Sequence, residues 1–157
     1  MKSKLKSLSA IGGIVSRLRR RDKKIVFTNG CFDIIHVGHV DYLSRARDLG
    51  DILVIGLNSD SSVRRLKGKG RPINKEKDRA LILSALSFVD YIVIFGDDTP
   101  GNLIKKIKPD ILVKGGDWKI KEIVGADFVS SYGGRVTTIP FVKGYSTTSI
   151  VERMKAK

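Results

Sequence analysis

The sequence predicts an α/β protein: one Rossmann-like, doubly wound sheet of five parallel strands, flanked by helices on both faces. Three observations carry that expectation. From Lys24 onward, short apolar runs alternate with longer stretches of helical periodicity, the order that produces parallel strands joined by crossover helices. The runs are rich in Val, Ile and Phe, as strands buried on both faces must be. Sixteen glycines are spread along the 157 residues, marking many tight connections rather than low-complexity disorder. The length is that of one domain, and an apolar content of 41% is enough to enclose a core.

Residues 1–22 read as a basic extension, helical from Ser3 to Arg21, ahead of a domain comprising residues 23–157. In that domain the first strand is Lys24 to Thr28, where Ile25, Val26 and Phe27 supply the side chains a buried strand favours. A helix follows over Val37 to Leu49, with Gly50 as its stop. The second strand, Ile52 to Leu57, leads to a helix from Ser59 to Leu66. Lys67-Gly68-Lys69-Gly70-Arg71-Pro72 is then too irregular to be helical. A helix from Lys75 to Ser87 feeds the third strand, Tyr91 to Phe95. The helix Gly101 to Lys106 precedes the fourth strand, Ile111 to Val113; the helix Ala126 to Tyr132, stopped by Gly133, precedes the fifth, Arg135 to Ile139. A helix from Thr147 to Lys155 ends the pattern. Ligands of such a sheet bind beyond the carboxyl ends of its strands. Functional residues therefore belong on the loops Asn29–His39, Asn58–Asp60, Gly96–Asp98, Lys114–Trp118 and Pro140–Thr148.

The run from Phe27 to His39 is the most informative. It joins a strand end, a glycine turn and the only two histidines of the chain. Gly30 has no side chain, so backbone N–H groups there approach a ligand closely. His36 and His39 are three apart; on a helix that begins near Ile35 they share one face of its first turn, where unpaired N–H groups and the positive end of the dipole also point. Such a junction holds phosphate, although the same spacing alone also serves a metal site or two surface histidines. Ser146-Thr147-Thr148, ahead of the last helix, either caps it or binds part of a polyphosphate. The Lys67–Pro72 loop is either a solvated turn or a cationic flap. Lys114-Gly115-Gly116-Asp117-Trp118 is either a plain turn or a bare-backbone bed for a flat base or ribose, with Asp117 ordering the loop or accepting from substrate and Trp118 walling the pocket or filling a gap. Cys31 reads as a small apolar filler. There is no Walker-type loop, no dinucleotide glycine fingerprint and no cysteine–histidine cluster able to hold zinc in the sequence, so no metal ligands are assigned.

Gly30-Cys31-Phe32-Asp33 and His36-Val37-Gly38-His39 resemble the Gly-x-Phe-Asp turn and His-x-Gly-His helix start of the cytidylyltransferase-like nucleotidyltransferases, and Ser146-Thr147-Thr148 resembles their triphosphate-binding run. With Lys114-Gly115-Gly116-Asp117 and Gly144-Tyr145-Ser146-Thr147-Thr148, the chain from Lys24 to Met154 looks like the heptose 1-phosphate branch, often fused to a sugar kinase. Lipid-headgroup cytidylyltransferases typically carry an arginine where this sequence has Phe141-Val142-Lys143. The resemblance implies transfer of AMP from ATP to D-glycero-beta-D-manno-heptose 1-phosphate, with release of pyrophosphate, for ADP-heptose and lipopolysaccharide core synthesis. It implies catalytic roles for His36, His39 and Lys67, and Mg2+ held mainly by the phosphates. Nucleotide contacts would come from Phe27, Thr28, Asn29, Gly30, Phe32 and Gly38 around the first loop. Arg79, Lys114, Gly115, Asp117 and Ser146 to Thr148 would add to them, and a surface salt bridge is the ordinary alternative for Arg79. Asp33, Asn58, Arg71 and Trp118 would contact the acceptor. CTP with glycerol 3-phosphate or another small phosphate, and ATP with flavin mononucleotide, are alternatives of the same chemistry.

Thirty Lys and Arg against sixteen Asp and Glu give a net charge of +14, a balance that nucleic-acid binders share. Here the cations load Lys2 to Lys24 and Arg153 to Lys157, with no interleaved aromatic signature, and read as solvated helix faces. A basic RNA-binding module is the alternative from another class. A single cysteine and no secretory leader point to the cytoplasm, and no run is apolar for long enough to span a bilayer. The extra N-terminal helix is suited to covering a neighbouring copy in a homodimer.

Overall fold

The computed structural model describes residues 3–116 and 118–156. The sheet holds six strands, all parallel: β1 (Leu5–Lys6), β2 (Ile25–Gly30), β3 (Ile52–Asn58), β4 (Tyr91–Phe95), β5 (Ile111–Gly115) and β6 (Arg135–Ile139), in the order β1-β4-β3-β2-β5-β6. The five expected strands form within two residues of their expected limits. The sixth corrects the expected count, and it corrects the helix expected from Ser3: Leu5 and Lys6 pair with Ile92 and Val93, and α1 (Leu8–Arg19) starts only after Ser7 caps it through Ala10 N–H. Tertiary pairing decides over helical propensity in so short a segment.

The remaining helices are α2 (Val37–Arg47), α3 (Asp60–Lys67), α4 (Glu76–Ala85), α5 (Gly101–Ile107), α6 (Ala126–Ser131) and α7 (Thr147–Lys155). Alternate residues of the strands feed two apolar layers. Val26, Leu53, Ile55, Leu57, Ile92 and Val113 meet Tyr42 and Leu43 of α2 and Ala80 and Leu83 of α4. Ile25, Phe27, Val54, Val93 and Leu112 meet Ile11 and Val15 of α1, Leu103, Ile104 and Ile107 of α5 and Val129 of α6. From β2 the chain winds through β3 to β4 on one side, then returns to β5 and β6 on the other. The switch point lies between β2 and β5, and there the loops that follow both strands face one crevice.

Candidate active site

At the end of β2 the chain turns through Phe32, whose φ of +46° is a left-handed conformation that a bulky residue adopts only when its surroundings enforce it. The ring folds back under Gly30, where an added Cβ would stand 2.9 Å from Phe32 Cε2. The turn delivers the chain to α2 with His36 in extended conformation at its N-cap, and no side chain among the described residues caps that end. The first N–H groups of α2 are thus open to a ligand. The rings of His36 and His39 stack with centroids 3.9 Å apart at 26°, and Phe32 meets His39 edge-on at 5.2 Å. A Cβ on Gly38 would lie 3.1 Å from His36 Nδ1, so the small residue between the histidines makes room for the stack.

Both Nδ1 atoms are buried without a partner among the described residues. Burial, and then the neighbouring His36, push His39 down to about 4, opposed by the nearby backbone of Ile34; burial also lowers His36. The two rings are neutral near pH 7. Lys114 comes from β5, its Nζ 3.5 Å from Asn29 Oδ1 and 5.9 Å from the centre of the exposed Trp118 ring. Burial lowers its pKa as well. At α7, Ser146 and Ser149 form a capping box, and Thr147 Oγ1 donates to Ile34 O at 3.4 Å, tying this second helix start to the histidine loop. Thr148 is exposed beside them.

A second group of the expected residues is bound up in protein contacts. Asp33, buried, accepts from Arg71 Nε at 2.7 Å and from the N–H groups of Ile73 and Asn74, while Asn74 Nδ2 donates to Asp33 O. The cationic loop is pinned at its far end, leaving Lys69 exposed between Gly68 and Gly70, whose φ values of +91° and +87° suit glycine; Lys67, expected in the loop, is instead the exposed last residue of α3, because the helix runs on until Gly68 caps it. Arg79 is fully buried rather than in a surface ion pair: Nε donates to Asn74 O, Nη1 to Cys31 O and Asn58 O, and Nη2 to Asp60 Oδ1 at 2.9 Å. It joins the turn after β2, β3, α3 and the loop, and is wholly enclosed by them. Asn58 donates to Ser62 Oγ in the interior. Phe27 lies in the core, and Thr28 bonds Tyr42 there at 2.6 Å. The bed above Gly115 and Gly116 is occupied by Phe141. Asp117 lies outside the described residues.

A model of the cytidylyltransferase-like family matches residues 27–153. The chain belongs to the cytidylyltransferase-like family. It is 61% identical over 152 residues to the bifunctional protein HldE of Campylobacter concisus (strain 13826), and 56% identical over the same length to the bifunctional protein HldE of Geobacter metallireducens. These matches cover 97% of this chain and 31% of each relative, so the chain spans about a third of the length of the curated relatives it matches. A lipopolysaccharide core biosynthesis protein from Thermoplasma volcanium is 29% identical, with a TM-score of 0.62 over 79% of this chain and 99% of that one. A pantoate-beta-alanine ligase from Francisella tularensis, at 14% identity and a TM-score of 0.59 over 96% of this chain and 76% of its own, shows the fold alone.

With the cytidylyltransferase-like family comes the reaction class: this chain is a nucleotidyltransferase. Sequence reasoning overlooked two parts of its site. Asn74 carries no motif, and only the contacts of Asp33 reveal it. Phe141 had a faint signal in the paired glycines, since two adjacent residues without side chains make room for a bulky group, and that group proves to be the protein's own ring.

Proposed function

We propose that this nucleotidyltransferase transfers AMP from ATP to a sugar 1-phosphate, D-glycero-beta-D-manno-heptose 1-phosphate, and releases pyrophosphate. The observation that carries the reading is the stacked, neutral His36–His39 pair at the uncapped start of α2, beside the start of α7. An oxygen of the acceptor's phosphate attacks the α-phosphorus of ATP in line as the bond to the pyrophosphate oxygen breaks. The acceptor arrives as an anion and needs no base; catalysis consists of bringing two anions together and stabilising charge at the reacting phosphorus. His36 and His39 donate to the α-phosphate and bridging oxygens, and the N–H groups near Gly30 and of the first turn of α2 hold phosphate. Ser146 to Thr148 receive the departing pyrophosphate, and Lys67 reaches both substrates from the end of α3. Asn29 and Lys114 flank the nucleotide, with Trp118 near the acceptor. Asp33, Arg71 and Arg79 act through the loop they hold, and Asn58 through Arg79.

Among the described residues no three His, Cys, Asp or Glu side chains gather to hold a metal, and the oxygens of Asp33 are taken by N–H groups. These residues do not fit a protein-held ion. Magnesium would enter on the triphosphate, and no step above depends on it. Within the chain, residues 23–157 form the catalytic domain and residues 1–22 an extension that completes its sheet edge.

The bifunctional name and greater length of the relatives favour a second activity, a sugar kinase that supplies the acceptor. The name of the Thermoplasma relative favours lipopolysaccharide core synthesis as the destination. No helix among the described residues is long and apolar enough to cross a membrane, and we place the reaction in the cytoplasm. The test is a pyrophosphate-release assay crossing ATP and CTP with heptose 1-phosphate, glycerol 3-phosphate and flavin mononucleotide. Release with ATP and heptose 1-phosphate is expected; release with another pair alone overturns the assignment.

A further inference from the structure

We propose that Phe141 is the residue on which the nucleobase stacks, and that it biases this site toward purines. The inference rests on the nucleotidyl-transfer reading and adds to it a specificity residue.

Phe141 follows β6 by two residues and folds back across the end of β5. Its ring lies so close to the backbone there that a Cβ on Gly115 would stand 2.5 Å from Cε1, and one on Gly116 2.7 Å from Cε2. Real Cβ contacts are never so short; the paired glycines exist to admit this ring. Yet the ring is not a core residue. Gly115 and Gly116 are buried beneath it, while Phe141 itself is 58% exposed. Exposing a large apolar surface is unfavourable by roughly 25 cal/mol per Å². A side chain fixed on one side and open on the other therefore has the form of a stacking surface.

Its position selects the ligand. Phe141 stands at the switch-point crevice, 6.3 Å from the ring of Tyr42 on α2. Tyr145, from the same connection, has its Cβ 3.3 Å from where a Cβ on Gly38 would lie, inside the first turn of α2 where the phosphate donors sit. On the other flank the cationic loop is pinned to Asp33. A nucleotide whose phosphates occupy the starts of α2 and α7 thus has its base on the β5–β6 side, against Phe141. Phenylalanine offers no hydrogen bond, so it reads ring area rather than ring edges, and the larger face of a purine gains more.

The test is calorimetric titration of the full chain and its Phe141→Ala and Phe141→Tyr variants with ATP, CTP and inorganic tripolyphosphate. Removing a base-stacking aromatic weakens binding on the order of 10-fold. Phe141→Ala is expected to weaken ATP by that factor, to narrow the ATP-to-CTP ratio and to leave tripolyphosphate unchanged, while Phe141→Tyr keeps wild-type values. Unchanged or tighter ATP binding in Phe141→Ala overturns the proposal, the tighter case meaning that the ring obstructs the base. Equal loss for ATP and tripolyphosphate also overturns it, as loop damage. Wild-type protein that binds tripolyphosphate but neither nucleotide would sink the nucleotidyl-transfer reading along with this one, whereas ATP binding unaffected by the substitution removes only Phe141.

Discussion

His36 and His39 form an uncharged, stacked pair before any ligand arrives. The burial of His39, and the stacked His36 3.9 Å away, keep both imidazoles neutral, so each ring presents one N–H and one unpartnered nitrogen. A triphosphate reverses that balance, because an adjacent anion favours the protonated ring. A group at about 4 in the free protein that rises on binding takes up a proton, so ATP binds more tightly as pH falls toward 4, the gain levelling off below that value. Calorimetry in buffers of different ionisation enthalpy is expected to show net proton uptake with ATP, absent in His39→Gln. His39→Ala is expected to lower pyrophosphate release about 100-fold to 1000-fold, the usual effect of deleting one preorganised donor; an unaltered rate would remove the proposed site. The histidines were legible because they are the only two in the chain and share one motif. Their stacking was not, since spacing fixes a helix face but not ring geometry. Arg79 misled for a related reason: the residue type is usually exposed, and only the convergence of four acceptors from distant segments explains its burial.

The loop between α3 and α4 is an eight-residue connection, residues 68–75, held by one carboxylate. Asp33 accepts three N–H groups from Arg71, Ile73 and Asn74, which leaves only the Gly68-Lys69-Gly70 portion, next to Lys67 at the end of α3, free of that anchor. Charge-assisted hydrogen bonds of this kind contribute about 1.5–3 kcal/mol each at most, so the anchor should dominate the order of the loop. Asp33→Asn removes the charge and half of the acceptor capacity. Faster tryptic cleavage after Lys67 and Lys69 and a raised KM for the acceptor are expected; cleavage and KM both at wild-type values would show that the loop is held elsewhere. Arg79→Met, which strips the buried carbonyls of Cys31, Asn58 and Asn74 of their donor, is expected to destabilise the protein by about 3–5 kcal/mol in denaturant unfolding, in the range for breaking a buried charged network. At this scale the strands were the most legible parts, because runs such as Tyr91–Phe95 and Arg135–Ile139 carry dense β-branched character and end at turns. β1 carries no such signal: two residues are too few to show a period.

The whole molecule depends on a segment whose composition reads as solvated charge. Residues Lys4 to Lys24 are strongly basic, yet Ile11 and Val15 sit in the layer with Ile25, Phe27, Ile104 and Ile107. β1 closes the sheet edge beside β4, and Arg19 reaches across to the backbone carbonyl of Ile107 at the end of α5. The hydrophobic period of α1 is short and diluted by glycine and arginine, so the helix was expected while its burial was not. Its last turn carries Arg17 and Arg19, and Arg20 and Arg21 follow it, as the dipole at a helix C-terminus favours. Ile11→Ala leaves a cavity in a layer with no exposure to collapse into, and costs about 2–5 kcal/mol. For a chain of this size that lowers Tm on the order of 10 °C, while nucleotide affinity in the folded state is unchanged, because the layer lies across the sheet from α2. A chain begun at residue 23 loses both Ile11 and Val15 and exposes the faces of Phe27 and Ile104; it is expected to aggregate or melt well below the full chain in a thermal scan. Equal Tm for the full and shortened chains would mean that α1 rests on the core without stabilising it.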